Sequence, residues 1–225
     1  MSTNPQDLPR PYAKKRFYTN DDLKKHNSGR DCWVAYFGKV YDLTPLLANY
    51  NGELAGPIIQ AAGTDISHWF DEATREPRTH IDPETQIRCV YCPQGRYIHV
   101  PPRYPDSSWR TDFGTPWWRD RKYCIGDLTS KVRRIDVMNL LTRQVQALSV
   151  PAEETIDEIQ DRYLAYNFHA KSYTWKRLGK PLDMTKTLAE NGVPDEDTEL
   201  DRLGIDPDDH VPVLHLYFND DLTEA

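Results

Sequence analysis

Alternation of apolar and polar positions predicts two groups of β-strands, one in each half of the chain. In the first half, CWVAYFGKVYDLT (32–44) alternates, is rich in aromatic and β-branched residues, and has Gly38 at the centre. This pattern predicts a hairpin that turns at the glycine. In the second half, alternating stretches predict five strands; they are RRIDVMNL (133–140), VQALSV (145–150), YTWKRLGKPLD (173–183, two strands about a glycine) and HVPVLHLYF (210–218).

Capping residues and short apolar repeats predict three helices in the first half. YTNDDLKKHN (18–27) places acidic residues in a first helical turn, and PLLANY (45–50) opens with a proline, which suits that position. AAGTDISHWFDEA (61–73) predicts the third helix. The candidate N-caps are Thr19 or Asn20 for the first helix and Thr64 or Asp65 for the third.

One helix is predicted in the second half, over TIDEIQDRYL (155–164). Thr155 and Glu158 have the spacing of a capping box, and Ile156, Ile159 and Tyr163 form an apolar stripe. Strands surrounding a single amphipathic helix indicate an α+β class, with one sheet packed on that helix.

No regular period appears between Pro77 and Trp118, where prolines, arginines and aromatic residues dominate. RYIHVPP (96–102) favours a strand. The stretch 103–120 is too rich in proline for regular structure and too aromatic for disorder, so it predicts an ordered loop on a surface. RKYCIGDL (121–128) has strand character again.

Composition indicates a soluble globular protein. Of the 225 residues 28% are charged and 38% hydrophobic, and no apolar run approaches the ~18 residues of a membrane span. Four cysteines in a chain of this length do not suggest a disulfide scaffold, so a reducing cytoplasmic compartment is expected. Residues 1–16, with three prolines and a basic run, predict a flexible tail.

Charge is unevenly distributed. The net charge is −7, but residues 181–225 contain 13 acidic and 2 basic residues, a net charge of −11 that leaves the first 180 residues at +4. The acidic C-terminal part is unsuited to nucleic acid. No phosphate-binding glycine loop, zinc-protease motif or nucleophile elbow is present, so no enzymatic activity is predicted.

Residues 17–130 resemble the cytochrome b5 family. The pieces that carry the resemblance are FYTNDDLKKHN, CWVAYFGKVYDLT and AGTDISHWF, with YCIGDL (123–128) similar to the family's closing strand. The resemblance implies a haem-binding domain, a non-covalent haem b, and an insertion over residues 83–120, which we call the insertion segment. It implies no membrane and no nucleic-acid partner.

The same resemblance identifies candidate iron ligands. In the family two histidines hold the haem iron; the first falls here on Tyr50, in Tyr50-Asn51-Gly52-Glu53, and the second falls on Arg75. His80 follows five residues later and is expected to replace it, with His68 as its rival. A tyrosine phenolate is a hard anionic donor that favours ferric over ferrous iron. We therefore predict Tyr50 and His80 as axial ligands, the alternative being that Tyr50 covers an empty pocket.

Residues 131–225 resemble the ubiquitin-like β-grasp family. LSVPAEETIDEIQDRYL (148–164) matches its strand-into-helix passage, and KRLGKPLDMTKTLAENGV (176–193) matches the strand and turn that follow. PDEDTELDRLGIDPDD (194–209) reads as an extra acidic loop before the last strand. The chain ends in Thr223-Glu224-Ala225 rather than in the diglycine that conjugation requires, so the resemblance implies assembly rather than conjugation.

A haem-binding fold followed by a β-grasp domain resembles a ciliary branch of the cytochrome b5 family. The resemblance implies a component of the motile-cilium axoneme, with radial-spoke proteins as partners and a redox or sensing role. A haem-free structural adaptor is the alternative. An electron donor to a soluble oxidoreductase would need an acidic rim around the haem, which the +4 charge of the first 180 residues does not favour.

Two further motifs leave alternatives open. Cys89 and Cys92 form a CxxC pair that with His99 and Cys124 could supply four zinc ligands, although a second closely spaced pair is missing. Two small thiols packed in a hairpin is the simpler interpretation. The pair Trp117-Trp118 could either anchor a partner or pack the insertion segment on its own domain.

Overall fold

The structure is a computed structural model that describes residues 16–50, 52–104, 106–107 and 109–218. The predicted flexible tail, residues 1–16, lies outside the described residues except for Arg16. Within these ranges no helix is long and apolar enough to cross a membrane. The regular elements form two five-stranded sheets, one two-stranded hairpin and short helices, which confirms the α+β class.

The first sheet gathers strands from both sides of the insertion segment. With strands numbered along the chain, it contains β1 (Phe17–Tyr18), β2 (Asn27–Ser28), β3 (Asp31–Tyr36), β4 (Lys39–Asp42) and β7 (Cys124–Leu128), in the order β1-β7-β4-β3-β2. Strand β7 pairs in parallel with β1 and antiparallel with β4. The predicted hairpin and closing strand are confirmed, and the insertion segment leaves and rejoins one sheet.

Two of the three helices predicted for the first half are confirmed. Helix α1 (Asn20–Lys25) begins at Thr19, whose hydroxyl accepts the N–H of Asp22 while the Asp22 carboxylate accepts the N–H of Thr19. These reciprocal bonds satisfy N–H groups that lack partners within the helix. Helix α2 (Thr44–Asn49) carries its proline in the first turn, as expected.

The third predicted helix, over residues 61–73, is wrong. Helix α3 (Gly56–Gln60) ends before this range begins. Within residues 61–73, only Ser67–Trp69 forms a turn of 3-10 helix. Thr64 and Ile66 pair with β3 instead: the Ala35 N–H donates to the Thr64 carbonyl and the Ile66 N–H donates to the Ala35 carbonyl, both at 3.0 Å. The backbone groups that a helix would need are thus used by the sheet edge.

Part of the insertion segment packs into the core. The strand expected over 96–102 is wrong, because these residues form no regular element. The ordered surface loop expected over 103–120 is confirmed for the described residues of 103–116, which are irregular and mostly exposed, and is wrong for Trp117 and Trp118. After the hairpin β5 (Thr79–Ile81) and β6 (Arg88–Val90), the chain is irregular. Trp117 and Trp118 are 0% and 5% exposed, and their rings lie 5.9 and 5.8 Å from that of Phe70. Burial of this aromatic pair excludes it as an exposed docking surface. The buried residues of the segment also include Tyr97, Ile98 and Val100.

The second sheet confirms the strands predicted for the second half. It contains β8 (Val132–Asn139), β9 (Val145–Pro151), β10 (Tyr173–Arg177), β11 (Lys180–Pro181) and β12 (Val213–Phe218), in the order β11-β10-β12-β8-β9. Strand β12 runs parallel to β8, and the other pairs are antiparallel. Helix α4 (Ile156–Tyr163) begins with the predicted capping box of Thr155 and Glu158. Its Ile156 and Ile159 are fully buried in the cluster that covers the sheet.

The acidic stretch 194–209, expected as a loop, contains helix α5 (Asp197–Leu203) and a 3-10 turn, Pro207–His210. Helix α5 places acidic residues in its first turn, where the helix dipole favours them. It ends at Gly204, whose left-handed backbone (φ 71°) accommodates a helix C-terminus at little steric cost. Local capping signals were therefore present in a stretch whose composition alone suggested a loop.

One guanidinium connects the two halves of the chain. Arg162, on α4, donates from Nε to both carboxylate oxygens of buried Glu154 at 2.8 and 2.7 Å. Its Nη1 donates to Asp22 at 3.0 Å and its Nη2 to the Phe17 carbonyl at 2.8 Å. The first turn of α1 and strand β1 are thereby bound to the helix of the second half.

Candidate cofactor site

Tyr50 lies where helix α2 ends, with its side chain 38% exposed. The helix buries Leu46 and Leu47 against the core, and the Tyr50 N–H donates to the Leu47 carbonyl at 3.2 Å. Because the inner face of α2 is occupied by these leucines, the C-terminal tyrosine projects to the rim of the domain. The neighbouring Asn51 lies outside the described residues.

A cavity of about 530 Å³ opens beside Tyr50, and we call it the Tyr50 cleft. Its volume falls within the range of roughly 300–1,000 Å³ that is usual for small-molecule sites. Apart from Tyr50 and Leu54, the residues lining it come from the insertion segment: Arg96, His99, Trp109, Arg110, Asp112 and Phe113. The insertion thus builds one wall of a site whose other wall comes from the α2 region.

His99 is the residue of the insertion segment that meets the Tyr50 hydroxyl. Its Nε2 lies 3.5 Å from the Tyr50 oxygen, and its Nδ1 accepts the backbone N–H of Trp117 at 3.0 Å. The ring stacks on Phe113 with centroids 4.2 Å apart and planes 13° from parallel. Burial, with a smaller effect of Lys122, lowers the pKa of His99, so the neutral imidazole is favoured.

Two arginines give the Tyr50 cleft a positive wall. The Arg96 guanidinium lies 5.2 Å from the centre of the Trp109 ring, while Arg110 forms an ion pair with Asp112. The buried Nε of Arg96 has no hydrogen-bond partner among the residues that the structure describes. A buried donor without an acceptor is unfavourable, and a shift of the Arg96 side chain toward an anionic group in the cleft would satisfy it.

His80, the predicted second ligand, lines a different cavity. It lies on β5, its ring nitrogens are 3.7 Å from the Cys89 sulfur, and its ring contacts Tyr91 edge to face. This cavity, of about 370 Å³, shares Arg96 with the Tyr50 cleft. The structure therefore does not bring Tyr50 and His80 together, because pairing in the β5–β6 hairpin holds the histidine against Cys89.

The other two positions considered for the second ligand also lie away from the cleft. Arg75 has a left-handed backbone (φ 59°), and its guanidinium lies 3.8 Å from the centre of the Phe37 ring. The Tyr36 hydroxyl donates to the Arg75 carbonyl at 2.6 Å. His68 is exposed on its 3-10 turn and contacts Trp69, as expected for a surface histidine.

The four candidate zinc ligands do not converge. His99 faces the Tyr50 cleft, Cys89 contacts His80, and the Cys124 sulfur lies on β7 at 3.8 Å from the Gly126 carbonyl. Burial raises the pKa of the Cys92 thiol to about 11, which disfavours the thiolate that zinc requires. In the described ranges no group of three or more such side chains could hold a metal ion.

Of the residues that line the cleft, only Tyr50 was predicted from the sequence as a cofactor contact; Arg96 and His99 are among those that were missed. His99 was noticed only as a possible zinc ligand, and Arg96 only as part of a predicted strand. Their positions depend on an irregular turn in which His99 has a positive φ of 70°. No sequence signal marks that conformation in a histidine, because glycine is the residue that usually adopts it.

The chain is similar to known proteins, both over its first half and over nearly its whole length. Residues 19–129 match the family profile described as "Cytochrome b5-like Heme/Steroid binding domain". The chain is 55% identical to "Cytochrome b5 domain-containing protein 1" of Xenopus laevis over 94% of the chain and 98% of the relative. It is 50% identical to the protein of that name in Homo sapiens, over 95% of the chain and 94% of the relative. It is 31% identical to "Soluble cytochrome b558" of Ectothiorhodospira shaposhnikovii over 28% of the chain and 70% of the relative.

Proposed function

Since the chain belongs to the family of cytochrome b5 domain-containing protein 1, with a cytochrome b5-like heme/steroid-binding domain over residues 19–129, we propose that it binds ferric haem b in the Tyr50 cleft. The observation that carries the proposal is an exposed phenol on the wall of a cavity of about 530 Å³ that also presents two arginines.

The side chains of the Tyr50 cleft fit such a group. The phenol of Tyr50 can ionise to a hard anionic donor, which suits ferric iron. Arg96 and Arg110 can pair with carboxylates, and the unpartnered Nε of Arg96 offers a donor for one of them. Trp109 and Phe113 present aromatic surfaces to a flat ring. Bound haem would supply an iron that changes oxidation state, which is the basis for a redox or sensing role.

His80 stays our proposal for the second iron ligand, with His68 as its rival. Arg96 lines both the cavity of His80 and the Tyr50 cleft, and His80 is held against Cys89, so ligation by both Tyr50 and His80 requires the β5–β6 hairpin to shift. Comparing His80→Ala with His68→Ala in the full chain tests the choice. Haem release by His80→Ala alone supports His80, and haem release by His68→Ala alone rejects it.

Titration of the purified full chain with ferric haem, followed by absorption, tests the proposed binding. We expect a saturable change with one haem per chain, and weaker binding for Arg96→Met. Arg143, in the turn between β8 and β9 and remote from the cleft in sequence, provides the matched control Arg143→Met. Absence of a saturable spectral change would reject haem binding.

A haem-free adaptor is the second candidate function. The observation that favours it is the packing of the insertion segment: Tyr97 and Trp117 are fully buried beside Phe70 in the core of the first half. These rings fill apolar space with the chain's own side chains, so the Tyr50 cleft lies at the rim of the domain and not within its apolar core. Titration with haem separates the two candidates, because an adaptor of this kind gives no specific spectrum.

The proposal extends to the motile cilium, where the chain would be an axonemal component with radial-spoke proteins as partners. This placement rests on the resemblance of the two-part layout to a ciliary branch of the family. We propose that the second half is a ubiquitin-like β-grasp domain that mediates assembly, because its charge of −11 over residues 181–225 favours a basic partner. The proposal includes no catalytic activity of the chain's own.

A further inference from the structure

We propose that His99 is a positioning residue for the Tyr50 oxygen: its imidazole is locked in one tautomer, and its Nε2–H donates to that oxygen. The first part of this inference, the tautomer and its bond to Tyr50, concerns the chain alone. The second part, the effect of that bond on a bound iron, rests on the proposed haem function.

The tautomer follows from the hydrogen bond on the far side of the ring. A backbone N–H can only donate, so the Nδ1 that accepts the Trp117 N–H at 3.0 Å must carry a lone pair. In a neutral imidazole the proton then resides on Nε2. That nitrogen lies 3.5 Å from the Tyr50 hydroxyl oxygen, which is at the long end of hydrogen-bond range.

The same argument removes His99 from the set of iron ligands. A histidine binds a metal through an unprotonated nitrogen, so binding through Nε2 would move the His99 proton to Nδ1. A proton on Nδ1 would face the Trp117 N–H and remove the hydrogen bond that Nδ1 accepts. The imidazole nearest to Tyr50 therefore acts on the phenol oxygen, and it does not compete with His80 for the iron.

The imidazole is held in place by a hydrogen bond, by ring stacking and by burial. Trp117, which supplies the N–H, is fully buried; Phe113 stacks on the ring at 4.2 Å; and His99 is only 9% exposed. Its backbone has a positive φ of 70°, a conformation that is costly for residues other than glycine and recurs at functional sites. The donor is thus fixed by contacts within the chain, whereas Tyr50 stands at an exposed helix end.

Charged side chains near the pair lie in the insertion segment and in the turn that follows it. Arg96, Arg110 and Asp112 line the same cleft, and Lys122 lowers the pKa of His99 from outside it. Arg110 is paired with Asp112, and Lys122 is paired with Asp120. The His99 Nε2–H can orient the Tyr50 oxygen, because a hydrogen bond depends on angle whereas the attraction of a distant charge does not.

The consequence at the iron has a definite sign. A hydrogen bond to a ligating oxygen withdraws electron density from it, so the oxygen stabilises ferric iron less strongly than an oxygen without that bond. Loss of the His99 donor should therefore lower the reduction potential of the bound iron and change the ferric absorption band that depends on Tyr50.

Substitution of His99 can separate the roles of its two hydrogen bonds, one with the Trp117 N–H and one with the Tyr50 oxygen. In His99→Asn the side-chain oxygen can occupy the place of Nδ1 and accept the Trp117 N–H, but no donor reaches Tyr50; asparagine also tolerates a positive φ. In His99→Gln the longer amide can present an N–H where Nε2 lies. We expect His99→Asn to fold and to lower the reduction potential, and His99→Gln to restore part of the difference.

The deciding experiment starts with haem-free full chain labelled with ¹⁵N at histidine. NMR should show His99, assigned by its disappearance in His99→Asn, as a neutral ring protonated on Nε2, and Tyr50→Phe should shift that nitrogen. A ring protonated on Nδ1, or an Nε2 signal unchanged in Tyr50→Phe, overturns the inference whether or not haem binds.

The haem-loaded chain supplies the second readout. If the wild type binds haem and His99→Asn has the same reduction potential and ferric spectrum as the wild type, the positioning role is rejected. If the wild type binds no haem, the proposed function fails, while the NMR result still decides the contact between His99 and Tyr50.

Discussion

A single phenol oxygen distinguishes the proposed site from one built on two histidines. Tyr50 is an exposed oxygen donor that ends α2, and ferric iron is the oxidation state that such a donor stabilises. Arg96 and Arg110 add positive charge on the opposite wall. These residues support a site that favours the ferric state.

Arg96 provides a prediction at the residue scale. Its Nε is a buried donor without a partner in the described part of the chain, so Arg96→Met should weaken haem binding through the loss of a hydrogen bond to a carboxylate. Hydrogen bonds to charged groups contribute about 1.5–3 kcal/mol, so the dissociation constant should rise roughly tenfold to a hundredfold. Titration at several salt concentrations measures this change, and equal affinity in Arg96→Met and wild type would exclude Arg96 from the site.

Asp22 provides a pH prediction. Burial raises its pKa, but hydrogen bonds from Thr19 and Arg162 outweigh burial and lower the pKa to about 2. Because the folded pKa lies below the value of about 3.9 in an unfolded chain, the unfolded state binds more protons between these values. Stability from Asp22 is therefore present above pH 4 and is lost as pH falls towards 2.

Denaturant unfolding of wild type and Asp22→Asn between pH 6 and pH 2 measures that contribution. We expect the wild type to be more stable by about 1–2 kcal/mol at pH 6, with the difference vanishing near pH 2. A difference that stays constant over this range would contradict the role of the ionised carboxylate.

At the scale of elements, α4 acts as the connection between the halves through Arg162. Glu154 is 5% exposed and receives two hydrogen bonds from Arg162, so removal of the guanidinium leaves a buried carboxylate without its cation. Arg162→Met should destabilise the chain by about 3–5 kcal/mol. It should also increase hydrogen exchange in β1 and α1, which Arg162 contacts through Phe17 and Asp22.

The double variant Arg162→Met/Glu154→Gln is the matched control for that prediction. Replacing the buried carboxylate by a neutral amide should recover part of the lost stability, while exchange in β1 stays fast because the contact with Phe17 is still missing. Unchanged exchange in both variants would show that Arg162 does not connect the halves.

Elements built from local signals were predictable, and those built from distant contacts were not. The caps at Thr19 and Thr155 act within four residues, so sequence located both helices. The segment 61–73 has helical composition, but pairing of Thr64 and Ile66 with β3 prevents the helix. Burial of Trp117 depends on residues far away in the chain, which no local pattern contains.

The candidate site was also predictable only where a local motif marks a residue. Tyr50 could be located because it replaces a residue of a recognisable motif. His80 was chosen by its place in sequence, and the structure instead holds it against Cys89. Whether two residues share a cavity depends on how the insertion segment folds, and its irregular turns leave no periodic trace.

At the scale of the whole molecule, net charge differs between the two parts of the chain, with −11 over residues 181–225 and +4 over the first 180 residues. The acidic stretch 194–209 carries helix α5, where Glu199 and Asp201 are exposed. We expect Glu199→Gln/Asp201→Asn to weaken retention in the axoneme and to make it less sensitive to salt, since screening acts on exposed charge. Salt extraction of cilia that express the full-length variants measures retention, with Glu72→Gln/Asp21→Asn in the first half as control. Equal loss from both variants would remove the specific role of α5.

The account depends most directly on Tyr50 as the anionic iron ligand. The measurement is the ferric absorption and resonance Raman spectrum of the haem-loaded full chain, compared between wild type and Tyr50→Phe. Tyr104, which is 51% exposed in the insertion segment, supplies the control Tyr104→Phe. Wild type and Tyr104→Phe should show phenolate-to-iron charge transfer with enhanced phenolate vibrations, and Tyr50→Phe should lose both. Identical spectra for wild type and Tyr50→Phe would contradict the account.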